Sequence, residues 1–271
     1  MTKPLIAAIE SGGTKFNLAV GYEVDKPLRT LRIPTESPAE TLGQCVRFFH
    51  QCEAEFGPLS ALGIASFGPV SLDKKLDHYG ALLNTPKPGW SDTNFVDFFG
   101  QHLRCPIAID SDVNAAALAE YRSRSTSGNL AYITVGTGLG VGICIEGKTL
   151  KGKLHPELGH LPMTPFAGET AGVCTAHKNC AEGLISGPAL AKRWGVRLED
   201  THSAHPLWAS SANYLAQLCA AITLTCSPEK IVLGGGVVDS GHLLESVRKS
   251  FTHTMGDYLT PFYPGGLEHV I

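Results

Sequence analysis

Apolar side chains along this chain fall into short runs that are separated by glycine-rich turns and by longer amphipathic segments. Residues 5–9 and 16–20 are apolar and are joined by a turn with two adjacent glycines. This pattern predicts a β-hairpin rather than a strand followed by a helix. Residues 130–146 repeat it, with apolar runs on both sides of a second Gly/Thr-rich turn. The repeat indicates two halves that are built on one plan.

The remaining pattern predicts alternating strands and helices. Residues 38–56 have helical spacing, with one apolar face formed by Leu42, Val46, Phe49 and Phe56. The other predicted elements are strands at residues 61–66, 106–110 and 230–233, helices at 113–121, 182–193, 207–226 and 241–258, and loops at 84–90 and 151–181. This alternation favours an α/β class, and the antiparallel hairpins make its sheets mixed.

Composition narrows the functional classes. The 271 residues are 43% hydrophobic and 17% charged, which suffices for one large domain or two smaller ones. A net charge of −3 and the lack of a long basic cluster disfavour nucleic-acid binding. No apolar run approaches the roughly 18 to 20 residues of a membrane span, and the first residues do not resemble a signal peptide. We therefore expect a soluble, cytoplasmic enzyme or binding protein with no nucleic-acid or membrane partner.

The eight cysteines point to a metal rather than to disulfides. In a reducing compartment most of them are expected to be buried, inert thiols. The run Cys174-x-x-His177-x-x-Cys180 differs, because it supplies three soft ligands within seven residues. Zinc takes four such ligands, and His160 is the first candidate for the fourth, with His155 second. The alternative is a chance proximity of buried thiols and a surface histidine.

Three turns are rich in glycine, at residues 12–13, 136–140 and 234–236. Glycine lets backbone N–H groups approach a phosphate closely, although tight hairpins also need it for their geometry. None of the turns matches a P-loop or a dinucleotide-binding fingerprint. Thr14 and Thr137 add hydroxyl groups, and Lys15 adds a positive charge that could equally be solvated. Together the turns fit a nucleotide that is held between two domains.

A carboxylate segment, Asp110-Ser111-Asp112-Val113-Asn114, ends a predicted strand and begins a helix. One interpretation is a helix cap, in which Ser111 or Asp112 accepts first-turn N–H groups. The other is a general base that takes the proton of a hydroxyl as it attacks a γ-phosphorus atom. Asp112 is preferred as the base, because Asp110 lies inside the strand.

Taken together, these segments resemble the ROK family of sugar kinases, and within it the zinc-dependent fructokinase-like branch. The matching segments are residues 10–16, 111–114, 134–140, 155–160, 182–188 and 234–237, with the Cys/His cluster between the fourth and fifth. The resemblance implies a hexokinase/actin-like (ribonuclease H-like) fold of two α/β domains with an interdomain cleft that closes to exclude water. The domains are expected at residues 1–112 and 113–271.

The resemblance also implies roles for individual residues. Asp112 would be the catalytic base, and Asn84, Glu157 and His160 would contact the sugar. One structural zinc ion per chain would bind His160, Cys174, His177 and Cys180, so that one ring nitrogen of His160 holds the metal and the other orients the sugar. Glu10, where many relatives have Asp, would hold Mg²⁺ through water. The residues expected to bind ATP are Gly12, Gly13, Thr14, Lys15, Thr137, Gly138, Gly187, Pro188, Gly234, Gly235 and Gly236.

The activity implied by the resemblance is transfer of phosphate from ATP to a hexose by a homodimer, with fructose to fructose 6-phosphate favoured. The alternatives are a glucokinase- or mannokinase-type hexose kinase and a catalytically impaired sugar-binding relative. Sugar-responsive repressors of the family carry an N-terminal helix-turn-helix, for which the residues before Glu10 leave no room. Relatives continue past the position of Ile271 through a helix that packs on the first domain, so exposed apolar surface and weaker closure are expected here.

Overall fold

The fold is available as a computed structural model that describes residues 3–165, 168–239, 243–263 and 265–271. The chain forms two compact units. The first consists of Met1–Ala115 and Lys151–His155, and the second of Ala116–Leu150 and Pro156–Ile271. Each unit contains one mixed sheet and its own helices. Within the described ranges, every helix is too short or too polar to cross a membrane.

The sheet of the first unit has five strands in the order β3-β2-β1-β4-β5. The strands are β1 (Ile6–Ser11), β2 (Lys15–Gly21), β3 (Arg29–Pro34), β4 (Ala61–Ser66) and β5 (Ile107–Ser111). β1, β2 and β3 are antiparallel neighbours, whereas β1, β4 and β5 run parallel. Ser11 is therefore opposite Ser66, which is opposite Ser111. The C-terminal ends of these three parallel strands meet at one edge of the sheet.

Two helices belong to the first unit, α1 (Pro38–Phe56) and α2 (Phe95–His102). α1 begins with a capping box between Ser37 and Glu40 and with Pro38 in its first turn. Its predicted apolar face is confirmed: Leu42, Val46 and Phe49 are buried in the core of the first unit, and Phe56 is half-buried against it. Trp90, Phe95 and Phe99, all fully buried, complete that core.

The sheet of the second unit has four strands in the order β8-β7-β6-β9. The strands are β6 (Leu130–Val135), β7 (Leu139–Ile145), β8 (Lys148–Thr149) and β9 (Lys230–Gly234). β6 and β7 form the second predicted hairpin, and β6 runs parallel to β9 with Thr134 opposite Gly234. The turns that follow β6 and β9 therefore lie next to each other.

Helices cover both faces of this second sheet. They are α3 (Asp112–Ser123), α4 (Ala181–Ile185), α5 (Gly187–Trp194), α6 (Pro206–Cys226) and α7 (Leu244–Met255), with short 3-10 helices at Leu158–His160, Leu198–Asp200, Thr260–Phe262 and Leu267–Val270. α3, which begins in the first unit, packs through Ala117 against Leu130 and Cys144. Ile133 and Val135 point to the opposite face, where α4, α5, α6 and α7 build the larger core.

Most of the predicted elements are confirmed, two predicted helices need correction, and two elements are missing from the prediction. The single helix predicted at residues 182–193 is wrong, because the chain breaks at Ser186, whose hydroxyl caps a new helix that starts at Gly187-Pro188. β3 and α2 were not predicted, since β3 is an edge strand with mostly exposed side chains and α2 has only eight residues. Of the helix predicted at 241–258, Leu244–Met255 is helical, and residues 241 and 242 lie outside the described residues.

Candidate functional site

Asp112 lies at the C-terminal edge of the first sheet, directly after β5. Its Oδ1 accepts the N–H of Val113 at 2.8 Å, whereas the N–H of Asn114 is donated to Ser111 Oγ at 3.2 Å. Ser111 therefore caps the first turn of α3, and the second oxygen of Asp112 is not needed for capping.

The surroundings of Asp112 make it more basic than an ordinary aspartate. Burial, with a smaller contribution from Glu10, raises its pKa to about 6, although the N–H of Val113 and the nearby His155 act to lower it. A carboxyl group with this pKa is ionised at neutral pH and close to the optimum for accepting a proton there.

Asp110 has a different environment. Its Oδ1 accepts the N–H of Ser111 at 2.8 Å and Nδ2 of Asn114 at 2.9 Å. Its Oδ2 lies 2.9 Å from Nζ of Lys151. Both carboxylate oxygens are thus held by the protein's own donors, which suits a structural role.

The first glycine turn, between β1 and β2, is held by its own backbone and by Thr35. The N–H of Gly12 donates to the Lys15 carbonyl at 2.9 Å, and Thr35 Oγ1 donates to the Gly12 carbonyl at 2.7 Å. A Cβ on Gly13 would have no protein atom within 4 Å, and φ of Gly13 lies outside the left-handed region. Neither strain nor crowding by the described residues explains this glycine, and the space beside it is open to a ligand.

Two further residues of the first unit were predicted to bind ligands. Glu10, at the end of β1, is exposed and accepts Nδ2 of Asn17 at 2.7 Å. Asn84 is also exposed, on a loop that the N–H of Leu83 joins to the Pro69 carbonyl at 2.8 Å. Trp90 anchors the far end of that loop, since it is fully buried and its Nε1 donates to the Glu36 carbonyl at 2.9 Å.

The second glycine turn lies against the break between α4 and α5. The N–H of Gly187 donates to the Gly136 carbonyl at 2.8 Å, and Leu139 donates its N–H to Oε2 of Glu182 at 3.0 Å. Thr137, at the tip, is exposed. A Cβ on Gly136 would have no protein atom within 4 Å, whereas one on Gly138 would be 2.9 Å from Oε2 of Glu182. The turn is therefore fixed at both ends and open at Gly136.

The third glycine turn, after β9, packs on β6. A Cβ on Gly234 would lie 2.5 Å from the Tyr132 hydroxyl, and one on Gly235 would lie 2.5 Å from the Val135 carbonyl. Gly235 also has φ of +92°, which favours glycine. A Cβ on Gly236 would have no protein atom within 4 Å. The fold therefore requires glycine at positions 234 and 235, whereas the space beside Gly236 is open to a ligand.

The four predicted metal ligands come together in the second unit. Their ligand atoms all lie within 4.8 Å of one another. Nδ1 of His160 is 3.6 Å from Sγ of Cys180 and 3.9 Å from Sγ of Cys174, which is 3.9 Å from Nδ1 of His177. Tetrahedral zinc, with bonds of about 2.3 Å to sulfur and 2.0–2.1 Å to nitrogen, requires ligand separations of about 3.3–3.8 Å. The donor set suits zinc, and its separations come within about 1 Å of that requirement. His155, which lies in the first unit, is not part of the cluster.

The two thiols of this cluster differ in their pKa. Burial raises the pKa of Cys174, but hydrogen bonds from the N–H groups of His177 and Ala176 and from the Cys180 thiol outweigh it, so the net pKa is lowered. Burial, together with the neighbouring Cys174, raises the pKa of Cys180 to about 11. Cys174 is therefore the more acidic of the two thiols.

Glu157 and His160 sit at the two ends of a 3-10 turn, where the N–H of His160 donates to the Glu157 carbonyl at 2.9 Å. Gly159 lets this turn lie directly on β7, because a Cβ there would be 2.0 Å from the Leu139 carbonyl. Glu157 is exposed. With Nδ1 of His160 facing the thiols, its Nε2 lies 4.0 Å from Oε1 of Glu182.

Sequence reasoning assigned no role to Glu182 and Lys151, and it considered His155 only as the second candidate for the fourth zinc ligand. Glu182 contacts both the second glycine turn and the ring of His160. Its place two residues after a predicted zinc ligand was the signal that could have identified it. Lys151 and His155 lie in a segment predicted only as loop, and no local pattern indicates their partners.

Comparisons with known proteins identify the family. The sequence profile of the ROK family matches residues 6–263. The chain belongs to the ROK family. It is 42% identical to a fructokinase of Zymomonas mobilis subsp. mobilis and 39% identical to a fructokinase of Streptococcus mutans serotype c, each over 94% of this chain and 87% of the relative. The family assignment made from the sequence is confirmed.

Among solved structures, this ROK protein is similar to a ROK family glucokinase from Streptomyces griseus that was determined in complex with glucose and AMPPNP. The TM-score is 0.72 at 25% identity, with 93% of this chain and 89% of the other covered. The expected α/β sugar-kinase fold is thereby confirmed.

The predicted site residues of this ROK protein divide between its two units. The first unit holds Glu10, Gly12, Gly13, Thr14, Lys15, Asn84 and Asp112. The second unit holds Thr137, Gly138, Glu157, His160, Cys174, His177, Cys180, Gly187, Pro188, Gly234, Gly235 and Gly236.

Proposed function

We propose that this ROK protein is an ATP-dependent hexose kinase that converts fructose to fructose 6-phosphate. The observation that carries the proposal is Asp112, a carboxyl group that burial makes basic at the edge of the first sheet. Two fructokinases more than a third identical to the chain, over 94% of its length, support fructose as the sugar. The division into a first domain with the base, residues 1–112, and a second domain with most nucleotide contacts, residues 113–271, is part of the proposal.

In this proposal Asp112 accepts the proton of the sugar hydroxyl while that oxygen bonds to the γ-phosphorus of ATP and the bond to ADP breaks. Backbone N–H groups of the glycine turns, with Thr14 and Thr137, bind the phosphates. Asn84 and Glu157 hold the sugar. Mg²⁺, when bound with ATP, would neutralise phosphate charge, and Glu10 has the exposed carboxylate to hold it through water.

The Cys/His cluster supports one structural zinc ion per chain. His160, Cys174, His177 and Cys180 have the donor types that zinc requires and come close to its spacing. Because the thiols face Nδ1 of His160, Nε2 is left for the sugar. Zinc would thereby fix the orientation of the ring that reads the substrate.

The experiment that tests the function is a coupled ADP-release assay with fructose, glucose, mannose and N-acetylglucosamine. We expect the highest kcat/KM for fructose, with Asp112→Asn as the inactive control. A higher kcat/KM for glucose or mannose would instead assign the second candidate, which the similarity to a glucose-bound glucokinase favours. Absence of turnover with all four sugars would contradict the kinase proposal. A homodimer also stays a prediction, to be checked by light scattering.

A further inference from the structure

Residues 151–155, here called the strap, belong to the first unit, although their position in the chain predicts that they belong to the second. In the chain they lie between β8 and the 3-10 turn of Glu157, both of which belong to the second unit. The strap itself packs with the first unit. It is held there by side chains at its two ends, Lys151 and His155.

Lys151 fixes the beginning of the strap to the end of β5. Its Nζ lies 2.9 Å from Oδ2 of Asp110, and the two side chains are 36% and 16% exposed. The other oxygen of Asp110 accepts the side chain of Asn114, in the first turn of α3. Lys151 thereby completes the contacts that hold the junction between β5 and α3, where Asp112 lies.

His155 fixes the end of the strap to the loop that follows β4. The side chain is only 7% exposed, and its Nε2 accepts the N–H of Val70 at 3.3 Å. The ring lies directly over Gly68, where a Cβ would be 3.0 Å from Nε2. Gly68 is explained by this contact, since any side chain there would displace the histidine.

The two anchors fix neighbouring segments at the edge of the sheet where Asp112 lies. β4 and β5 are parallel neighbours with Ser66 opposite Ser111, so the loop after β4 and Asp112 after β5 leave the sheet side by side. His155 accepts the N–H of Val70 in the loop after β4, and Lys151 pairs with Asp110, two residues before Asp112. The groups whose charge acts on the Asp112 carboxylate are His155 from the strap and Glu10 from β1.

We propose that the strap positions the catalytic base, with Lys151 and His155 as positioning residues that hold the β5–α3 junction and the loop 67–70 together around Asp112. The inference rests on the proposed kinase function for its catalytic consequence. Its structural part, the packing of His155 on Gly68 and Val70, does not depend on activity.

The structural part is tested by a double-mutant cycle on thermal unfolding. Gly68→Ala is expected to lower Tm clearly in the wild-type background, because the new Cβ meets the imidazole. In a His155→Ala background the same substitution should have a much smaller effect. Equal effects of Gly68→Ala in both backgrounds would overturn the packing argument. This cycle needs only folded protein, so it remains decisive if no sugar is phosphorylated.

The catalytic part is tested by comparing His155→Gln with His155→Leu. Gln places an acceptor near the position of Nε2 and should keep the Val70 contact, whereas Leu removes it. We expect kcat for His155→Leu to fall about tenfold to a hundredfold, with much of the loss recovered in His155→Gln and the KM for ATP unchanged.

The pH profile separates positioning from a general loss of stability. His155 lowers the pKa of Asp112, so both variants should shift the acid limb of kcat to higher pH. Reduced kcat with an unshifted limb in both variants would overturn the link to the base. Lys151→Met should lower kcat in the same direction, and Lys153→Met, which alters an exposed residue of the strap, is the matched control.

Discussion

At the scale of single residues, burial turns an aspartate into a base. Asp110 and Asp112 are two positions apart, yet both oxygens of Asp110 are occupied by side-chain and backbone donors, whereas Asp112 is buried and receives the N–H of Val113 on Oδ1. Desolvation raises the pKa of Asp112 because a carboxylate loses more hydration than a carboxylic acid does. The desolvation that makes Asp112 a better base also lowers the stability of the fold, so its size can be measured by unfolding experiments.

Asp112→Asn is expected to lower kcat by about 10²–10⁴-fold and to leave fructose binding nearly unchanged, since the amide cannot accept the proton. Steady-state kinetics and calorimetric titration with fructose check the two halves of this prediction. In the wild type, kcat should fall as the pH decreases through about 6, because Asp112 becomes protonated. Undiminished turnover in the variant would remove Asp112 from the base role.

The same substitution should stabilise the fold at neutral pH. A carboxyl group whose pKa is raised on folding binds a proton more tightly in the native state, so its ionisation opposes folding once the pH exceeds its ordinary value. The gain for Asp112→Asn at pH 7.5 is at most about 3 kcal/mol, and it should shrink towards pH 4. Denaturant unfolding at the two pH values measures it. A variant that is less stable than wild type at pH 7.5 would contradict the assigned cause of the pKa.

At the scale of elements, the glycine turns combine glycines that the fold requires with glycines that it does not. Gly235 is left-handed and in contact with β6, whereas Gly236 has open space around its Cα. The sequence shows three adjacent glycines and cannot distinguish them. Neighbouring positions therefore provide a matched pair of substitutions.

Gly235→Ala should lower the free energy of unfolding by about 1–3 kcal/mol, because the residue is held in a left-handed conformation against the Val135 carbonyl. Gly236→Ala should leave stability within about 0.5 kcal/mol and raise the KM for ATP. Chemical denaturation and ATP-dependent kinetics give the two readouts. If Gly236→Ala left the KM for ATP unchanged, Gly236 would have no part in the nucleotide site.

Cys180 belongs both to the metal cluster and to α4. Its Sγ accepts the N–H of Gly183 at 3.4 Å and so caps that helix. Cys180→Ser should lose zinc but keep the cap, whereas Cys180→Ala should lose both and be less stable by about 0.5–2 kcal/mol. Elemental analysis should find about one zinc per wild-type chain and none in either variant. A zinc-free wild type that retains full activity would exclude the metal from function.

At the scale of the whole molecule, the loop that carries Cys174, His177 and Cys180 is also attached to the second unit by a buried ion pair. Arg193 of α5 pairs with Glu169, and both side chains are almost fully buried. Nη1 of Arg193 also donates to the Leu184 carbonyl at 2.7 Å, and the Tyr214 hydroxyl of α6 donates to Glu169 at 3.2 Å. The pair therefore connects the loop to three helices.

Arg193→Met should destabilise the protein by about 3–5 kcal/mol, because it leaves the Glu169 carboxylate buried without its partner. Removing both charges with Arg193→Met and Glu169→Gln should recover part of the loss. Denaturant unfolding of the metal-free protein measures these differences. If Arg193→Met lowered the free energy of unfolding no more than an ordinary surface substitution does, Glu169 would have to reach solvent once its partner is removed.

The sequence by itself determined the local features, which are both hairpins, the buried face of α1 and the three closely spaced soft ligands Cys174, His177 and Cys180. These features also sufficed to identify the ROK family. These depend on residue spacing within one strand, helix or loop, which is visible along the chain. Tertiary structure decided the rest. The pKa of Asp112, the different reasons for Gly235 and Gly236, and the attachment of His155 to Val70 depend on residues up to about a hundred positions apart, because burial and backbone contact exist only after the sheets and helices have packed.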